Sequence, residues 1–147
     1  MNSANAASAT SNGHWDAVWA YAIFRVTLAV ALLFHSATRW GHVGQFAGKT
    51  VAQFAATPLP SWSVRWYAIG ITFLEPAIGL LLLLGLRTRM AVVAAGLLVI
   101  SLVFGTALRG DFTVLSEQLV YSLAFFFLLL YREANNRWSV DALLKVK

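Results

Sequence analysis

The stretch Val64–Leu86, VRWYAIGITFLEPAIGLLLLLGL, limits what this chain can fold into more than any other. Roughly 20 apolar residues at 1.5 Å per residue cross the hydrocarbon of a bilayer, so the segment reads as a membrane span. It carries Glu75 close to its middle, followed at once by Pro76. A carboxylate at that depth costs about 2.5–3.5 kcal/mol on insertion scales, so it turns toward protein or a water-filled cavity. Pro76 removes a helix hydrogen bond and predicts a kink beside the acid. A buried acid at a kink marks a place for chemistry or for decisive packing.

The 147 residues amount to one domain. Hydrophobic residues make up 59% and charged residues 12%, about half the usual charged share, which excludes an ordinary soluble surface. The net charge is +5, but the basic residues stand at the ends of apolar runs. Anionic lipid headgroups, not nucleic acid, are the partner this pattern suits. The absence of cysteine excludes thiol nucleophiles, disulfide relays and cysteine-ligated metal centres within the chain. Any redox role requires a bound cofactor or a partner subunit.

Residues 1–13, MNSANAASATSNG, read as a disordered tail; with no basic residues before an apolar core, a cleaved signal peptide is not expected. Residues 14–147 form the folded domain, with spans expected at 15–37, 64–86, 90–108 and 114–131. Trp15, Trp19 and Tyr21 suit an aromatic belt at one interface. Between the first two spans, Trp40–Ser63 mixes glycine, proline and aromatic residues and reads as an interfacial segment with one short helix near Lys49–Ala56. The third span is rich in alanine, glycine and serine, which allow close helix approach in lipid. The closing REANNRWSVDALLKVK is polar, then amphipathic from Ser139. The expected fold is an all-α membrane protein, a four-transmembrane-helix bundle with an interfacial segment. Four spans place both termini on one side, with Arg87, Arg89, Arg132, Arg137, Lys145 and Lys147; the other side holds Arg39, Lys49, Arg65 and Arg109. Six against four favours cytoplasmic termini in a bacterial or archaeal inner membrane.

Arg25 and Glu75 fall at similar depth when counted from the span ends, and pairing them would offset the burial of both. Such a pair serves either helix register or function. A second cluster gathers His35, Arg39, Arg109 and Glu117 toward the outer side, either as an ion-pair network at headgroup level or as a pocket for an anion or a quinone carbonyl. No residue receives a catalytic role. His14, His35 and His42 occupy different depths, which argues against haem or another metal.

Three blocks together resemble a known family. FRVTLAVALLFHSATRWG resembles the opening of the DoxX family, TFLEPAIGLLLLLGLRTRMA its most recognisable block, and RWSVDALL its closing Ser-x-Asp motif. The resemblance spans Arg25 to Leu144 and implies a four-helix membrane bundle. By position it implies that Arg25, His35, Arg39, Glu75, Gly79, Gly85, Arg89, Glu117 and Asp141 are the characteristic residues. Two departures stand out: Arg39 replaces the usual lysine, and EANN replaces a glycine-rich lead-in. Described members include membrane subunits of thiosulfate:quinone oxidoreductase and partners in oxidative-stress complexes.

The leading reading is a small integral subunit of a quinone-linked membrane redox complex, with quinone as the cofactor candidate and nothing covalently bound. The alternatives are a non-catalytic assembly subunit, or a carrier of a small solute or proton with Glu75 as the titrating group. The expected partners are the bilayer and either other membrane subunits or further copies of the chain.

Overall fold

The computed structural model describes residues 3–145, with side-chain surroundings over 13–144; Met1, Asn2, Val146 and Lys147 lie outside the described residues. The chain folds as seven helices among those residues, with no strand. They are α1 (Ser3–Ala37), α2 (Val43–Gln53), α3 (Ser61–Leu84), α4 (Thr88–Arg109), α5 (Phe112–Leu130), α6 (Arg132–Asn135) and α7 (Val140–Lys145). Four of them are long and apolar enough to cross a membrane: Gly13–Ala37 within α1, and α3, α4 and α5. This is an all-helical, four-helix membrane bundle.

Helix continues from Ser3 into the segment read from sequence as a tail, where Ala4, Ala6, Ala7 and Ala9 favour it. The interfacial helix also differs from expectation, forming earlier, at Val43–Gln53. Val43, Phe46, Ala47 and Thr50 recur at helical spacing and turn one face toward α3, so packing outweighs the cost of Gly44 and Gly48. α3 runs unbroken through Pro76.

α3 is the central member, packed against α1, α2 and α4. α5 lies along α4 and only grazes α1, which is tied instead to α6 at the bundle's other end. The core is a column of Leu28, Ala29, Ile71, Ile78, Leu82, Val92, Ala95, Leu98, Phe125 and Leu128. Outside it, Phe34, Trp66, Leu97, Ile100, Val120 and Phe126 are exposed on the spans, the surface that a hydrocarbon solvent selects.

The register of α1 against α3 is set by one close approach. A Cβ on Gly79 would lie 3.0 Å from Leu33 Cγ, 3.1 Å from the Ala29 carbonyl oxygen and 3.2 Å from Leu32 Cβ. Only glycine lets the backbones meet this closely. Gly79 therefore sits level with Ala29–Leu33, and every polar contact between these antiparallel helices follows from that alignment.

Candidate functional site

The alignment overturns the expected Arg25–Glu75 pair. Going from Glu75 toward Gly85 along α3 descends about 15 Å at 1.5 Å per residue. Arg25 is found at the Gly85 end, where a Cβ on Gly85 would lie 2.6 Å from Arg25 Nη1. Depth counted from the span ends misleads because α3 overhangs the end of α1 and meets α2 there.

Arg25 is 3% exposed, and its partners are neutral. Nη1 donates to Asn136 Oδ1 at 2.5 Å and Nη2 to the Trp138 carbonyl at 2.6 Å, while Nε has no partner. Asn136 Nδ2 in turn donates to Thr88 Oγ1 at 3.0 Å. Asp141 accepts from the backbone amides of Arg87 and Thr88, both at 2.7 Å, and caps the start of α4. Partial burial disfavours its charge, but the Thr88 and Arg87 hydrogen bonds and nearby Arg132 outweigh this and hold the carboxyl below its ordinary pKa. Gly85 has φ +64°, and a Cβ there would lie 2.5 Å from Ser139 Cβ, so the α3–α4 turn admits no side chain. These contacts form a clasp fastening the closing segment onto the bundle. Of the residues singled out in sequence, Arg25, Gly85 and Asp141 belong to it.

Glu75, 2% exposed, sits at the other end. Arg39 Nη1 donates to Glu75 Oε2 at 2.8 Å, and Arg39 Nη2 lies 2.5 Å from His35 Nε2. Arginine has no acceptor, so His35 Nε2 accepts and the neutral ring carries its proton on Nδ1. The guanidinium also stacks 4.4 Å from the centre of the Phe46 ring, contributed by α2. Arg39 lies in the turn just past the last residue of α1, where its amide donates to the Ser36 carbonyl, and the Gly79 register brings this end of α1 to Glu75.

These three residues form one wall of a chamber of about 580 Å³ among α1–α5. Arg109 and Glu117 reach its other side. Arg109 Nη1 donates to Gln53 Oε1 at 2.8 Å and Nη2 to Asp111 Oδ2 at 3.1 Å, with Phe54 stacked at 5.2 Å. Glu117 makes no ion pair among the described residues. The chamber thus collects the expected cluster of His35, Arg39, Arg109 and Glu117, and adds Glu75, which was expected to pair with Arg25 instead. Sequence reasoning missed Gln53, Gln118, Tyr67 and Ser101, the last two joined at 2.6 Å between their hydroxyls. Single neutral polar residues in apolar helices carry no spacing signal; the four-residue step from Tyr67 to Ile71 and on to Glu75 was the available clue. Between the polar ends the walls are apolar, with Ile71, Leu98, Val99 and Phe125. No group of three histidine, aspartate or glutamate side chains among the described residues is placed to hold a metal ion. The arrangement can bind a molecule with an apolar body and a polar head.

The sequence model of one family matches residues 17–113, two-thirds of the chain: MauE, the methylamine utilisation protein MauE. No curated protein and no solved structure matches the chain. The chain therefore belongs to the MauE family. This corrects the DoxX resemblance, since the two are different families of membrane protein. The blocks that suggested DoxX each have a packing role: Glu75 holds Arg39, Gly79 admits α1, and the Gly85 turn admits Arg25. RWSVDALL lies beyond the matched residues.

Proposed function

We propose, from membership of the MauE family, that this chain is an accessory membrane subunit of a redox system serving methylamine utilisation. The observation that carries the reading is the chamber: a buried Arg39–Glu75 pair with His35 at its side, inside a chain of that family. A buried ion pair contributes little net stability compared with an apolar replacement, so its presence suits a working site better than a packing device. The chain contributes a membrane anchor, a docking surface and the chamber. Its termini lie on the cytoplasmic side, the side with more arginine and lysine.

The test is deletion of the chain in its own host, followed by growth on methylamine. Loss of growth restored by the intact chain supports the reading; unimpaired growth refutes it. Complementation with Glu75→Gln then separates the working site from a purely structural subunit. The working-site reading expects methylamine-dependent respiration to fall about tenfold while partner subunits still co-purify. Equal loss of respiration and assembly would favour the scaffold.

A further inference from the structure

We propose that the chain holds an anionic phospholipid at its clasp end, with the phosphate head seated in a recess between the closing segment and the start of α4.

The recess, of about 630 Å³, is lined by Arg132, Glu133, Asn136, Arg137 and Asp141, with Leu144 at its edge. It lies over the clasp, at the far end of the bundle from the chamber. Asp141 accepts there from the Arg87 and Thr88 amides, and Asn136 Oδ1 accepts from Arg25 Nη1.

Charge selects the head. Arg132 and Arg137 line the recess, Arg87 touches Asp141 through its amide, and Arg25 donates to Asn136. Against these four arginines stand two carboxylates, Asp141 and Glu133, and both are committed. Asp141 is engaged by two amides at the start of α4, where the helix dipole answers its charge. Glu133 meets Arg132 at 3.2 Å, but its side chain is 88% exposed, and so exposed a pair contributes little. Arg25 has only neutral partners. Arg87 and Arg137 make no ion pair among the described residues, and both are exposed, so their guanidinium groups can be reached. At the chamber, by contrast, Arg39 and Arg109 each hold a carboxylate. A surplus of accessible guanidinium groups suits phosphate, whose oxygens match the planar fork. Arg87 also has φ +47°, a left-handed conformation that favours glycine, so this arginine is kept at a conformational cost.

The surroundings select a lipid over a free anion. Trp19 and Trp138 pack with ring centres 5.2 Å apart, and both are exposed, which marks this end as headgroup level. Leu144 and its neighbour Leu143 are also exposed, an apolar edge beside a charged recess. A free phosphate gains nothing from that edge. A phospholipid sets its glycerol and acyl chains against it while its phosphate meets the arginines, as basic recesses at this depth do with anionic headgroups.

The experiment uses the intact chain in a neutral maltoside detergent, titrated with phosphatidylglycerol and, separately, with phosphatidylcholine; retained lipid is read by native mass spectrometry. The expected result is saturable phosphatidylglycerol binding, roughly tenfold or more tighter than phosphatidylcholine, since each basic residue at an anionic head contributes about fivefold. Arg137→Gln weakens it about fivefold. Arg87→Gly suits the backbone at φ +47°, so the melting temperature holds while binding falls by a similar factor. Arg65→Gln, at the start of α3 and the opposite end of the bundle, leaves binding unchanged. Bound phosphatidylglycerol also slows limited proteolysis near Trp138, because its head joins the closing segment to α4. Equal affinity for the two lipids overturns the proposal, as does equal weakening by Arg65→Gln and Arg137→Gln. Displacement of the lipid by an equal concentration of inorganic phosphate overturns the lipid and assigns a free anion. Retention without protection near Trp138 overturns the recess as its place.

Discussion

Glu75 is 2% exposed and has one cationic partner, Arg39, at 2.8 Å. Replacing it with glutamine keeps the shape and leaves the Arg39 charge without a counterion. Breaking a buried pair from one side costs about 3–5 kcal/mol. The low end applies here, about 3 kcal/mol, because Arg39 is 13% exposed and keeps His35 and the Phe46 face. A double-mutant cycle with Arg39→Met should return a coupling of at least about 1 kcal/mol, within the range for residues in contact. The cycle of Glu75→Gln with Arg25→Met should be additive within about 0.5 kcal/mol, since the Gly79 register sets those sites about 15 Å apart. Reversible unfolding in mixed detergent micelles, followed by circular dichroism, measures the single and double variants against the parent. Additivity for Arg39 with Glu75, or strong coupling for Arg25 with Glu75, would refute the register and with it the chamber's polar wall.

Gly85→Ala places a Cβ 2.5 Å from Ser139 Cβ at a backbone φ of +64°, and should cost about 1–3 kcal/mol while releasing the closing segment to limited proteolysis near Trp138. Asp141→Ala removes the cap of α4 and should lower stability by about 1–2 kcal/mol at neutral pH. Its carboxyl is held below the ordinary value in the folded chain, so its contribution is present above about pH 4 and fades as pH falls through the lower folded value. The parent and the Asp141→Ala variant should therefore converge in stability under acid, as a thermal melt series would show. Gly79→Leu should separate α1 from α3 and break the Arg39–Glu75 contact, cutting stability by more than about 2 kcal/mol in the same micelle unfolding assay.

Much of the architecture is legible in the amino-acid order alone. Four apolar runs separated by short polar turns can satisfy their backbone groups in lipid only as helices, and short connections make neighbours antiparallel. Glu75 stands out by cost alone, because an acid in an apolar run must find a protein partner. His35 and Arg39 are legible as a pair because they stand four residues apart where the first span ends, and so short a separation holds them close whatever the rest of the chain does. The interfacial helix is legible as a segment but not in its bounds, since its face is defined by α3, a sequence-distant surface.

Which partner each charge finds is decided by tertiary structure. Sequence spacing orders residues along one helix but says nothing of how far one helix slides past another. That slide is fixed by Gly79 against Ala29, a contact between residues far apart in the chain, and it moves Glu75 from Arg25 to Arg39. The same slide lowers Arg25 onto Asn136 and the Trp138 carbonyl, partners that no charge pattern marks because they are neutral. The chamber has a similar origin: its polar residues come from several helices, and the space among them exists because α5 follows α4 and stands off from α1. Composition and period determine that helices form and which residues cannot face lipid; the register and splay of the helices, set by a few close-packed contacts, determine what those residues meet.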